Sequence, residues 1–209
     1  MAYRRTERVQ EQLQDKRDRI LQAVRAVVGE VGFRGAQVAV VAEAAGVATG
    51  TVYRHFPSKG ELFAEALALN AGHEVSVMQA VADSEGTATA RLADAIRVFA
   101  LRAVRARRLA WAMIAEPAEP EVDAARLKSR RAFADVLQGL IEDGIAGAEF
   151  PPQNARIAAA GLIGALTEGL IGPLAQDAEA PPNALTLSRE ITAFCLQAVS
   201  ARPYEESRS

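Results

Sequence analysis

Apolar residues in this chain recur three and four positions apart over long stretches. Between Asp15 and Val31 the residues Ile20, Leu21, Val24, Val27, Val28 and Val31 form one stripe at i, i+4, i+7, i+8 and i+11, the spacing of a helix that buries one face. No run of four or more residues alternates apolar and polar in a β-branched setting, and aromatic residues are only 5% of the chain, so strands lack support. The predicted fold is all-α. Half of the 209 residues are apolar, enough to build a core for one or two domains.

Breakers divide the helical pattern. Gly32 ends the first helix, and Val38, Val41, Ala42 and Ala45 at i, i+3, i+4 and i+7 mark a short second helix closed by Gly46, a residue free to take the left-handed conformation. A third short helix is expected from Thr49 to Phe56, where Pro57 stops it. Ser58-x-x-Glu61 has the form of a capping box and opens a fourth helix that carries Leu62, Phe63, Ala66, Leu67 and Leu69 and runs to about Ala82. Beyond the loop-like stretch from Asp83 to Thr89, five more helices are expected at about 90–104, 106–115, 121–146, 154–175 and 184–201. Pro117 and Pro120, Pro151-Pro152 and Pro181-Pro182 divide them. About nine helices result, with no repeat of fixed period.

Lys+Arg 24 against Asp+Glu 26 gives a formal net charge of −2, so the chain as a whole is not a basic coat for nucleic acid. The balance is uneven, however. Residues 1–60 hold 10 basic and 6 acidic side chains, which leaves 14 and 20 for the remainder, so one end favours a polyanion while the rest stays soluble. The single cysteine, Cys195, excludes an internal disulfide framework and a Cys-based zinc site, and with only His55 and His73 beside it a metal cluster lacks ligands. No metal and no cofactor is expected. The same shortage argues against an enzyme, since no Cys-His or Ser-His-Asp set and no nucleotide loop can be assembled. The longest uninterrupted apolar run, Ile157 to Leu166, is ten residues, against roughly 20 for a bilayer span, and the N-terminus lacks an apolar signal core. The expectation is a cytoplasmic protein without a membrane partner.

The two short helices joined by Ala45-Gly46-Val47 have the spacing of a helix-turn-helix. Packing the second helix's stripe, Val52 and Phe56 onto the first helix leaves Thr49, Gly50, Thr51, Tyr53, Arg54 and His55 outward. These are short hydroxyls, bare backbone, an aromatic hydroxyl, a cation and an imidazole, suited to base edges and phosphate oxygens rather than to a core. Lys59 sits in the first turn of the fourth helix, where free N–H groups and the helix dipole favour a phosphate.

The run Gly46-Val-Ala-Thr-Gly-Thr-Val-Tyr-Arg-His-Phe-Pro-Ser-Lys-Gly-Glu-Leu62, preceded by Val40-Val-Ala-Glu-Ala-Ala45, resembles the DNA-binding domain of the TetR family of transcriptional regulators over about residues 15–65. Its most specific part is Tyr53-Arg-His-Phe-Pro-Ser-Lys59. The resemblance implies a homodimer in which residues 1–65 form a three-helix helix-turn-helix DNA-binding domain and residues 66–209 a helical effector-binding and dimerisation domain. The partners it implies are a double-stranded palindromic DNA operator and a small-molecule effector that releases a repressor. Thr51, Tyr53 and His55 match positions that commonly meet DNA phosphates in the family, and Lys59 matches its phosphate-contacting lysine. Gln37 stands where the family often has Ser or Thr opening helix two, and its longer amide can reach the DNA backbone instead. Ala48 and Thr49 depart from the usual hydroxyl start of the recognition helix. That departure moves the expected N-cap to Thr49 and keeps open a second reading, an interaction module that has lost DNA binding.

Elsewhere the alternatives are broader. Arg4, Arg5, Arg8, Lys16, Arg17 and Arg19 alternate with Glu7, Glu11, Asp15 and Asp18, the pattern of a solvated face, with a groove-reaching arm at Arg4, Arg5 and Arg8 as the alternative. In family architecture the middle helices enclose the effector, which makes Trp111 and Met113 on one helix, and Phe133 and Leu137 on the next, candidate pocket walls. Large or adaptable side chains in an alanine-rich chain suit a largely apolar ligand, and Arg105 and Arg131 either orient a carboxylate or point to solvent. Ala158 to Gly161, Gly164-Ala165 and Gly169 form a small-residue face that admits a close helix neighbour. With the last helix it resembles the family's four-helix dimer interface, so Gly161, Gly164, Glu168 and Cys195 are placed there. Glu168 suits solvent, a partner cation or the ligand, and Cys195 is either a small buried apolar residue or a redox-sensing thiol at the interface.

Overall fold

The structure, a computed structural model, describes residues 2–175 and 183–201, with side chains from Val9 onward. Those residues form nine α-helices and no strand. They are α1 (Ala2–Gly35), α2 (Val38–Ala44), α3 (Thr49–His55), α4 (Lys59–Ala82), α5 (Ala88–Arg105), α6 (Arg107–Ile114), α7 (Pro120–Ala146), α8 (Ala155–Leu174) and α9 (Ala184–Ser200). The expected all-α fold and helix count hold. Pro181-Pro182 and the side chains of Arg4, Arg5 and Arg8 lie outside the described residues.

Four helix starts carry side-chain caps that their sequences offer. Ser58 Oγ accepts the Glu61 amide at 3.0 Å, Thr87 the Ala90 amide at 3.1 Å, Asn154 the Ile157 amide at 3.1 Å and Asn183 the Thr186 amide at 3.0 Å, each satisfying one of the first-turn donors. α1 begins well before Asp15. Its first turns have no apolar stripe but are rich in Arg, Glu and Gln, which favour helix by propensity alone. Gly32 interrupts it at φ 72, ψ 178, and this break leaves Val31 at 43% exposure although the stripe includes it.

Two hydrophobic clusters share α4. The first gathers the stripe of α1 with Val38, Val41 and Ala42 of α2, Val52 of α3, Phe56, and Leu62, Phe63, Ala66 and Leu67 from the first turns of α4. The second joins Met78 and Ala82 from the far end of α4 to the inner faces of α5, α7, α8 and α9. Ala112 of α6 and Val122 of α7 reach across into the first cluster, so the connector between those helices lies against the helix-turn-helix. Ala155–Leu174 is long and apolar enough by composition to cross a bilayer, twice the run counted from Ile157 to Leu166. Its inner face, including Leu162, Leu166 and Leu170, is instead buried in the chain's own core.

Candidate nucleic-acid interface and effector cavity

α2 ends in a turn through Gly46 at φ 66, and α3 follows two residues later. Val52 and Phe56 anchor α3, with 1% and 2% of their surface exposed. Thr49, Gly50, Tyr53 and Arg54 face solvent, Thr51 and His55 are half-buried, and Tyr53 keeps 47% of its surface accessible. Four of the six residues expected to point outward do so, while Thr51 and His55 flank the buried anchors at the edges of that face. Gln37 is exposed at the N-cap of α2 and its side chain makes no capping bond. The expected cap at Thr49 is corrected. Ala48 is the N-cap, extended at φ −71, ψ 147 with its carbonyl accepting the Thr51 amide at 2.8 Å, so Thr49 is already helical and α3 starts without a side-chain cap.

Arg17, which the charge pattern places on a solvated face, is instead packed against α3 and α4. Its guanidinium lies 4.4 Å above the Phe56 ring, donates to the His55 carbonyl at 3.1 Å and pairs with Glu65. It thereby fixes the C-terminal end of α3 against α1 and α4. The signal was present in the sequence, because residue 17 continues the 20, 21, 24 and 28 stripe one turn earlier. Burial first, then the charges of Arg17, Arg54 and Lys16, pull the His55 pKa below its ordinary value, so the imidazole is neutral at neutral pH. Lys59 opens α4 as expected, and its Nζ lies 2.9 Å from Glu119 and 5.1 Å from the centre of the Phe63 ring.

A cavity of about 110 Å³ lies between α1, α4, α5, α6, α7 and α8. Met113 and Phe133 line it, Phe133 meeting Phe99 edge-on with ring centres 5.2 Å apart. Trp111 and Leu137 do not, which corrects half of the expected wall. Trp111 is two residues from Met113, about 200° around the helix, and packs on the second hydrophobic cluster, while Leu137 is fully buried within it. Arg105 and Arg131 are exposed away from the cavity. The cations that reach it are Arg25, Arg102, Arg126 and Arg130, against one carboxylate, Glu74, which accepts from Arg102 at 2.5 and 2.8 Å.

On the outer surface of α8, Gly161, Gly164 and Glu168 are exposed on the same helix as Ile157 at 69%, and Phe194 of α9 is exposed at 60%. Of the surroundings open to Glu168, the cavity is excluded. For Cys195 the small buried apolar reading holds and the interface placement is corrected: it has no exposed surface and packs in the core, away from any interface made by this surface. Burial pushes its thiol pKa up to about 11, which leaves almost no thiolate to sense oxidants. Phe194, like Leu185 at the start of α9, points out, and its position one residue and 100° from Cys195 is what separates the two.

Residues 20–66 match the family described as bacterial regulatory proteins, tetR family, and residues 85–168 match the tetracyclin repressor-like C-terminal domain. The two matches together span well over half of the chain. It belongs to the TetR family of transcriptional regulators. Among characterised relatives, the HTH-type transcriptional repressor KstR of Mycobacterium tuberculosis is 41% identical over 76 residues, 36% of this chain and 33% of that protein. KstR of Rhodococcus jostii is 48% identical over 54 residues, 26% of each chain. The alignments thus span a third or less of those repressors. Similar solved structures include FadR from Bacillus subtilis in complex with stearoyl-CoA, with TM-score 0.74 and 22% identity over 87% of this chain and 98% of that one. FadR from Bacillus halodurans gives TM-score 0.71 and 20% identity over 86% and 97%. At these identities the likeness establishes the fold.

Proposed function

We propose that the chain is a ligand-responsive repressor that binds a palindromic operator as a homodimer and leaves it when a small, largely apolar effector enters the C-terminal domain. The observation that carries this reading is the outward face of α3, where Thr49, Gly50, Tyr53 and Arg54 are exposed over the buried anchors Val52 and Phe56. A helix so anchored can enter a major groove without disturbing its core. Thr51, Tyr53, His55, Lys59 and Gln37 hold phosphates and set register, while Thr49, Gly50 and Arg54 approach base edges. Residues 1–65 act as the DNA-binding unit and 66–209 as the effector and dimer unit. The exposed Gly161, Gly164 and Glu168 face, with Ile157 and Phe194, pairs with its copy. Gly164→Leu should then give monomers in sedimentation and weak operator binding.

The mixed cavity supports an amphiphilic effector, apolar along Met113, Phe99 and Phe133 and polar at the arginines; stearoyl-CoA in the structurally similar FadR is such a molecule. At about 110 Å³ the cavity is smaller than the roughly 300–1,000 Å³ of sites that hold drug-sized ligands. The effector therefore prefers a more open arrangement of these helices and shifts the population by that preference. Selection of bound fragments from genomic DNA, repeated across salt concentrations, tests the reading. Recovery of a palindromic site, with affinity falling steeply as salt rises, is the expected result; absent or salt-independent binding refutes it.

A further inference from the structure

One arginine belongs both to the cavity wall and to the joint with the helix-turn-helix. Arg126 of α7 lines the cavity. Its Nε donates to the Met113 carbonyl at 2.9 Å, and its Nη2 donates to the carbonyls of Ala112 at 3.2 Å and Glu116 at 2.9 Å. Its Nη1 pairs with Asp123. Four of the five guanidinium N–H groups are thus committed, three of them to the C-terminal end of α6 and the connector that follows it.

That connector grips the DNA-binding unit twice. The Glu116 carboxylate, 5% exposed, accepts the backbone amides of Phe33 at 2.7 Å and Arg34 at 3.3 Å. The break at Gly32 frees these amides from the helix ladder, and Glu116 caps them from another element. Three residues on, Glu119 holds Lys59 at 2.9 Å. Polar contacts thus run from the cavity through Arg126 and Glu116 to Phe33 and Arg34, and the backbone of the connector carries the link on to Glu119 and Lys59.

We propose that Arg126 is the coupling residue of the cavity: an effector whose apolar body ends in an anionic group binds its guanidinium, withdraws it from the α6 carbonyls and so loosens the Glu116 grip on Phe33 and Arg34. The proposal rests on the cavity's being the effector site. A bidentate anion needs two N–H groups in one plane, and only one is uncommitted, so binding must displace a carbonyl. The cavity around Arg126 is also short of negative charge, because its wall carries Arg25, Arg102, Arg126 and Arg130 against the single carboxylate Glu74. An anion is attracted there and a neutral head group is not.

Hydrogen exchange on the full chain tests this, with dodecanoate, dodecyl phosphate and dodecanol as probes and the melting temperature as the measure of occupancy. Protection of the Phe33 and Arg34 amides should fall about tenfold, within the usual range of such couplings, on binding either anionic probe. It should hold with dodecanol, and the core amides of Leu140 and Ile141 should stay protected throughout. Whichever anion acts at the lower concentration identifies the head group as carboxylate or phosphate. Arg126→Gln should show the low protection before any probe is added and no further fall. Glu116→Gln, a milder change outside the cavity, should still bind dodecanoate while losing the response. Failure of both anions to bind, binding with unchanged protection, or an equal fall with dodecanol overturns the proposal. Absence of operator binding would instead count against the repressor reading and leave the exchange result standing.

Discussion

The two halves of this molecule are filled differently. Around the helix-turn-helix, a few large rings, Phe33, Phe56 and Phe63, each at most 2% exposed, fix short helices, and Phe33 and Phe63 meet with centres 5.5 Å apart. In the C-terminal half, longer helices enclose a cavity whose rim is charged and whose aromatic wall, Phe99 and Phe133, is only half-buried. A close-packed unit resists small displacement, whereas a unit with a void has somewhere to move. The contrast suits a rigid reader governed by a compliant sensor.

The contrast breaks first on aromatic truncation. Phe56→Ala should cost about 3–5 kcal/mol, enough to unfold the DNA-binding unit, because it empties a closed core and removes the ring beneath the Arg17 guanidinium. Phe133→Ala enlarges a space that already exists and gives up mainly its edge contact with Phe99, for about 1–2 kcal/mol. Chemical denaturation of both variants measures the difference, and equal costs would remove the distinction between the halves.

Gly32→Ala addresses the joint between them. A Cβ there would lie 2.5 Å from both Glu116 carboxylate oxygens, at φ 72, so strain of about 1–3 kcal/mol should appear in the melting temperature, with Glu116 displaced. On the reader itself, Lys59→Ala should weaken binding to all DNA sequences alike and lower the salt slope by about 1, as direct titration at several salt concentrations would record. Altered sequence preference at unchanged affinity would contradict the phosphate role. The smallest effect belongs to His55. Its folded pKa lies below the unfolded value, so the unfolded chain binds more protons between the two, and stability should decline as pH falls from about 6.5 through the lower folded value. NMR titration of the ring checks the direction; a raised pKa would refute it.

These regions also differ in how far sequence exposes them. The reading face of α3 could be derived because its determinants are local: a turn glycine, two apolar anchors and a stopping proline within a dozen residues. The cavity draws its lining from six helices, and no local pattern states how those helices are rotated about their axes. Even so, part of it was readable. Ala106, Leu109, Ala110, Met113 and Ile114 all line the cavity at i, i+3, i+4, i+7 and i+8, a face that includes Met113 and excludes Trp111. Residue size suggested Trp111, and helical phase decides against it. Glu116 and Arg126 had no such signal, because their partners lie 83 and 10–14 residues away in backbone groups that carry no sequence identity.

α4 passes unbroken from the reader's core into the sensor's. Its 24 residues, at about 1.5 Å each, make a rod of roughly 36 Å, close to one turn of the double helix. A rod of that length turns angles into distances: a tilt of about 5° at one end displaces the other by roughly 3 Å. In a dimer the two displacements add, so a rearrangement near the cavity too slight to unpack any core would still mismatch two half-sites on a rigid duplex.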